Sequence, residues 1–111
     1  MSATYRVHRA TDSSGAIATT VAPGYPWQLH EIRVHFDAGG AATALTATMD
    51  AGAGATYDTV VYSNSMSGVT DLVKTYDPPL MFAHPSDELD IAYANGSSAA
   101  YGIEVLYRPL G

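Results

Sequence analysis

Four histidines, eleven carboxylates and nine serines are the side chains of this chain that could do chemistry. His30-Glu31-Ile32-Arg33-Val34-His35 puts two imidazoles and a carboxylate within one short run, the residue types of a zinc protease box. That box needs its histidines four apart on one helix face, and these are five apart. On a regular strand an odd separation sends the two rings to opposite faces, so a shared metal would need a bulge between them. The spacing therefore argues against a metal.

Two acidic segments stand out. Asp50-Ala51-Gly52-Ala53-Gly54-Ala55-Thr56-Tyr57-Asp58 holds two carboxylates around a glycine-rich loop. Calcium prefers six to eight oxygens, with acidic residues at alternate positions, so the loop reads as a strand connection. In that reading Asp50 bonds loop amides and the glycines supply positive φ. Ser86-Asp87-Glu88-Leu89-Asp90 is the densest acidic spot, but neighbours on a strand point apart, which does not suit paired acid and base work on glycosides. It reads as a solvated turn entering a strand. Ser65-Met66-Ser67-Gly68 misses the serine elbow Gly-x-Ser-x-Gly, and His8, His30, His35 and His84 have no recognisable nucleophile to serve. The sequence predicts no catalytic set, no metal site and no cofactor.

Aromatic residues are the remaining candidates for contact. Eight tyrosines and one tryptophan could stack on sugar rings, as platforms on β-sandwiches do. Tyr93, Tyr101 and Tyr107 fall in phase with aliphatic residues, which predicts buried rings with hydroxyls at the rim. Tyr25, Trp27, Tyr57 and Tyr76 fall at predicted loops or strand ends, and Tyr5 lies near the N-terminus. Those five are the predicted contacts for a partner or ligand. Clustered at one loop end they would favour a ligand; dispersed along a side they would favour oligomer contacts.

The elements that must position these residues are short alternating runs between turn formers, the pattern of an all-β chain. Strands are predicted over residues 4–9, with Tyr5 and Val7 alternating against Arg6 and His8, and over 16–22. Ala22-Pro23-Gly24-Tyr25-Pro26 is a loop, because proline lacks the donor a ladder needs. Trp27 to Asp37 is the clearest strand, with Ile32, Val34 and Phe36 on one face. Trp27 and Leu29 have the opposite phase, which predicts a bulge near His30. Further strands are predicted over 43–49, 57–66, 70–76 and 80–83, with Ser67-Gly68 a turn and Asp77-Pro78-Pro79 a break. The run 88–94 turns Leu89, Ile91 and Tyr93 inward, and Asn95-Gly96 predicts a tight hairpin into a closing strand with Tyr101, Ile103, Val105 and Tyr107 on one face. About eight short strands predict one antiparallel two-sheet sandwich over residues 1–111, jelly-roll-like, with a radius of gyration of about 13 Å. Residues 1–4 carry little to pin them and read as an arm that orders against a partner.

Composition narrows the function classes. The formal net charge is −6, the wrong sign for neutralising phosphates, so nucleic acid and anionic membranes are not expected partners. There is no cysteine, which excludes disulfides, thiolate metal sites and cysteine nucleophiles. No run approaches the roughly 18 apolar residues of a membrane span, and Met1 to Arg6 lacks a signal peptide's apolar core, so a soluble, unexported chain is expected. Only 14% of residues are charged, while alanine, threonine, serine and glycine number 18, 11, 9 and 10. A surface of methyls and hydroxyls costs little to desolvate, which suits a protein that lies against other proteins.

Three segments carry a resemblance: Trp27-Gln28-Leu29-His30-Glu31-Ile32-Arg33-Val34-His35-Phe36, Leu45-Thr46-Ala47-Thr48-Met49-Asp50 and Tyr57-Asp58-Thr59-Val60-Val61-Tyr62. Their order resembles small virion proteins of tailed bacteriophages. In that family a Leu-x-x-Ile/Val-Arg strand leads to a Leu-Thr-x-Thr-x-Asp strand, a Gly-x-x-Tyr-Asp loop, a Gly-Asp-x-Leu turn and a Tyr-Gly-x-x-x-x-Tyr strand. Ser86-Asp87-Glu88-Leu89 and Tyr101-Gly102-Ile103-Glu104-Val105-Leu106-Tyr107 match the last two, with Ser86 where the pattern has glycine. The resemblance spans roughly residues 27 to 108. It implies a non-enzymatic capsid decoration (cement) protein, made in the host cytoplasm and seated on the capsid surface. Its partners would be its own copies, a trimer being favoured, and the major capsid protein. The competing reading is a tail- or fibre-associated module holding a receptor carbohydrate through Tyr25, Trp27 or Tyr76.

Overall fold

A computed structural model describes residues 4–110. Eight strands follow one another: β1 (Arg6–Asp12), β2 (Ile17–Val21), β3 (Trp27–Phe36), β4 (Ala44–Asp50), β5 (Thr59–Ser65), β6 (Asp71–Phe82), β7 (Glu88–Tyr93) and β8 (Tyr101–Pro109). A single 3₁₀ turn, Ala55–Tyr57, precedes β5. The strands form two four-stranded antiparallel sheets, ordered β1-β8-β3-β6 and β2-β7-β4-β5. Pairs β1–β8, β2–β7, β3–β6 and β4–β5 are those of one long hairpin folded at the β4–β5 connection. Pairs β3–β8 and β4–β7 form when that hairpin rolls up, which is jelly-roll winding and matches the sequence expectation. The radius of gyration is 14.0 Å.

Alternation places the core. Ile17 and Val21, Leu45 and Ala47, Leu89, Ile91 and Tyr93 face inward from one sheet, and Ile32, Val34, Phe36, Ile103 and Val105 meet them from the other. Trp27 and Leu29 are buried as well, although their parity is opposite to that of Ile32 and Val34. The predicted bulge reconciles the two: the register of β3 shifts between Leu29 and Glu31 against both β6 and β8. Aromatic rings fill one end, Trp27 stacked on Phe82 at 4.1 Å and edge-on to Tyr107 at 5.3 Å.

Four expectations are corrected. Asp77-Pro78-Pro79 does not break the chain; β6 runs through it, joining the two strands expected at 70–76 and 80–83. β6 is the edge of its sheet, and residues 76–79 have no paired partner in β3, so the missing proline donors interrupt no ladder. Asn95-Gly96 is not a tight hairpin. β7 is flanked by β2 and β4, and β8 by β1 and β3, so the connection crosses from one sheet to the other. Asn95 is buried there with φ 56°, its Nδ2 donating to the carbonyls of Gly15 at 2.8 Å and Ala99 at 2.9 Å. β1 begins and ends later than expected, at Arg6 and Asp12; Tyr5 and Val7 are exposed, while His8 and Ala10 are half-buried. Trp27, expected among the surface contacts, is fully buried. The arm expected at residues 1–4 lies outside the described residues apart from Thr4, which is exposed.

Candidate functional site

Register makes the two outer faces of the sandwich chemically different. On the first sheet three rows cross the four strands in order β1, β8, β3, β6: Val7, Leu106, Glu31, Thr75; then Arg9, Glu104, Arg33, Val73; then Thr11, Gly102, His35, Asp71. Charges in these rows pair with one another. Arg9 Nε lies 2.6 Å from Glu104 Oε2, and Arg33 Nη1 lies 3.9 Å from Glu104 Oε1. Arg33 also donates to Glu31, whose other oxygen accepts from Thr75 Oγ1 at 2.9 Å. His35 sits between Asp71, at 2.7 Å, and Asp37, at 3.3 Å.

Gly102 leaves a gap in this tiling. No heavy atom lies within 4 Å of where its Cβ would be, and the resulting depression of about 530 Å³ is lined by Arg9, Thr11, Arg33, His35, Asp71 and Glu104. Its charged groups already satisfy each other. The Asp71 carboxylate, hydrogen-bonded to the ring, holds His35 above the ordinary imidazole value, and the same bond holds Asp71 below the usual carboxylate range. A second depression, of about 420 Å³, opens at the β3 bulge between Tyr5, His30, Glu31, Thr75, Tyr76 and Asp77. His30 and His35 therefore line separate hollows and do not share a ligand position.

The outer face of the second sheet is neutral over most of its width. Ala18, Ala92, Thr46 and Ser63 form one row across β2, β7, β4 and β5, and Thr20, Asp90, Thr48 and Val60 form the next. Ala18, Ala92, Ser63 and Val60 are exposed, and Val60 shows 58% of its surface at the free edge. Asp90 is held by Thr20 Oγ1 at 2.7 Å. Acidity gathers only at one end, where oxygens of Asp50, Glu88 and Asp90 lie within 4.8 Å of one another. Burial, then Asp58 and Asp90, push the Asp50 carboxyl up.

The acidic loops are built differently from expectation. Asp58, not Asp50, accepts from the Ala51 amide, at 2.8 Å. Asp87, expected in a solvated turn, is buried and accepts from the amides of Gly52 at 2.9 Å and His84 at 3.0 Å. Gly52 needs its missing side chain for space against His84 and Ser86 and does not adopt positive φ; Gly54, at φ 127°, does.

The five predicted contact residues are dispersed. Tyr57 is 63% exposed beside the β4–β5 connection and Tyr5 is 55% exposed ahead of β1, while Tyr25 is half-buried in the β2–β3 loop. Tyr76 lies inside β6, its hydroxyl donating to the Val61 carbonyl at 3.0 Å, and burial pushes that hydroxyl up to about 12. Only Tyr5 and Tyr76 line one hollow together. Sequence reasoning missed His30 as their companion; the phase change at Leu29 located the bulge but not the excursion of β6 that opens it. The chain matches no family model, no curated protein and no solved structure.

Proposed function

We propose that this chain is a non-enzymatic structural component of a bacteriophage particle, a decoration protein that seats on the capsid surface, as a trimer, and stabilises the shell. The observation that carries the reading is the outer face of the β2-β7-β4-β5 sheet, where Ala18, Ala92, Thr46, Thr48 and Ser63 present methyls and hydroxyls and acidity is confined to the end holding Asp50, Glu88 and Asp90. Covering such a face strips few polar groups of water, so modest apolar contact suffices to hold it. The opposite face, with its charges paired among themselves, suits exposure to solvent. A contact repeated over a closed shell is reinforced by multivalency, so each copy can bind weakly. The resemblance of the β3, β4 and β8 segments to small virion proteins points the same way.

Light scattering and co-sedimentation with expanded phage capsids that lack their own decoration protein test the reading. A trimer that pellets with the shells is the expected result. Ala92→Glu places a carboxylate at the centre of the neutral face, at an exposed strand position, and should abolish pelleting while the fold persists. A monomer that stays in the supernatant overturns the reading.

A further inference from the structure

The connection from β7 to β8 carries the chain's one Asn-Gly pair, Asn95-Gly96; its other asparagine, Asn64, is followed by serine. Asn-Gly is the pair most prone to deamidation, because glycine has no side chain to hinder its nitrogen on the way to the asparagine amide. In that reaction the Gly96 nitrogen bonds to Asn95 Cγ, the Cγ–Nδ2 bond breaks, and ammonia leaves with the Gly96 amide proton. Water then opens the resulting succinimide at either carbonyl, giving aspartate or isoaspartate. Water is the only co-reactant.

The fold holds each of these groups away from that path. Asn95 is 3% exposed. Its Nδ2 donates to the carbonyls of Gly15 at 2.8 Å, Ala99 at 2.9 Å and Ser14 at 3.3 Å, and its Oδ1 accepts from the Ala99 amide at 3.2 Å. Its own carbonyl accepts from the Ser98 amide at 2.9 Å, closing a turn around Gly96. To bring Cγ onto the Gly96 nitrogen, the side chain must leave all of its partners together, at a place that burial keeps from water. The connection must therefore open first, and the reaction draws only on the open population.

The product does not fit the site that the amide fills. A carboxylate there has no proton to donate at neutral pH and would face three carbonyl oxygens, with the Ala99 amide as its one donor in the site. Isoaspartate also adds a methylene to the main chain, which displaces the turn itself. The loss falls where the β1–β2 turn is tied to the crossover between the sheets.

We propose that Asn95 is a modification site open only in the unfolded chain: Asn95-Gly96 deamidates there, is spared in the folded protein, and once converted destabilises the native fold. Time spent unfolded is thereby written into the chain. The proposal is independent of the capsid assignment.

Ageing the full chain at mildly alkaline pH, with and without denaturing guanidinium chloride, tests the first half. Trypsin cuts after Lys74, and the peptide 75–111 carries Asn95 without Asn64, so its mass and its isoaspartate content report this site alone. The folded sample should convert at least about tenfold more slowly than the denatured one, the factor for an opening that costs about 1.4 kcal/mol. Asn95→Asp, made by expression, tests the second half: its melting temperature should fall by at least about 10 °C, or no cooperative melt should remain. The rate ratio is read on the unsubstituted protein and decides whether or not that variant folds. A ratio below tenfold, or a smaller fall in the melting temperature, overturns the proposal.

Discussion

Trp27 Nε1 donates to the backbone carbonyl of Asp87 at 3.1 Å, joining the fully buried start of β3 to the turn that launches β7 in the opposite sheet. The same Asp87 reaches two further segments through its carboxylate, holding Gly52 of the β4–β5 connection and His84 of its own turn. One residue thereby anchors three connections at one end of the sandwich. Asp87→Ala strips two amides of their acceptor and should cost about 2–3 kcal/mol, lowering the melting temperature by roughly 10–20 °C. Asp87→Asn keeps one oxygen and should cost less. Chemical denaturation followed by Trp27 fluorescence reads both, and a loss below about 0.5 kcal/mol for Asp87→Ala would contradict the anchoring role.

Glycines separate space from conformation. A Cβ at Gly40 would collide with the Met66 carbonyl oxygen and come within 3.0 Å of the Tyr93 hydroxyl, where Gly40 bridges to Ser67. Gly40→Ala should destabilise by about 1–3 kcal/mol, since backbone rather than a mobile side chain must yield. Gly102 is open above and its φ is not positive, so Gly102→Ala should be neutral or stabilising by up to about 1 kcal/mol. Thermal melts of the two variants compare them directly; equal losses would show that the space at Gly102 is not as described.

Much of this architecture is legible in the residues because burial enforces alternation. Leu89, Ile91 and Tyr93, or Ile103 and Val105, announce a half-buried strand, and the phase change from Leu29 to Ile32 announces a bulge. Sheet membership is not local in the same way. Asn95-Gly96 carries turn chemistry that fits a tight hairpin, yet the partners on both sides of β7 and β8 come from distant strands. Prolines mislead for a related reason: Pro78 and Pro79 are excluded from a central strand and tolerated on an edge, and only the strand order shows which β6 is. Trp27 has the look of a surface platform because it follows a proline-rich loop, but it is the first of five buried residues along β3. The hollow over His30 depends on how far β6 departs from β3, a tertiary quantity that spacing along the chain does not encode.

His35 should titrate apart from His8 and His30. His35, bonded to Asp71 and near Asp37, is raised; His8, by burial, and His30, by burial and then Arg108, are lowered. For His35 the folded value exceeds the unfolded one, so its contribution is present below about pH 6.5 and is lost as pH rises through the raised value. Asp71 is lowered, so its share is present above the ordinary carboxylate value and is lost as pH falls through the depressed one. His8, bonded to Thr19 Oγ1 at 2.7 Å across the sheets, and His30 act oppositely: they cost nothing above the unfolded value and weaken the fold as pH falls below it toward the lowered one. Imidazole NMR titration should return His35 toward its ordinary value in Asp71→Asn while leaving His8 unmoved. A His35 midpoint at or below the ordinary value in the unsubstituted chain would contradict the pairing.

Asp50 offers the reverse case, a carboxylate the fold holds at a disadvantage. Burial raises it first, with Asp58 and Asp90 adding like charge, and Glu88 completes the cluster. Its folded value lies above its unfolded one, so folding disfavours the ionised form: the penalty is absent below the ordinary aspartate value and complete above the raised one. Asp50→Asn removes the charge and should stabilise the chain at pH 7, with the advantage shrinking as pH falls through the carboxylate range. Urea midpoints of the variant and the unsubstituted chain across pH 3 to 7 measure this. Curves that stay parallel over the whole range would mean that Asp50 carries no charge penalty and that its neighbours are fully screened by solvent.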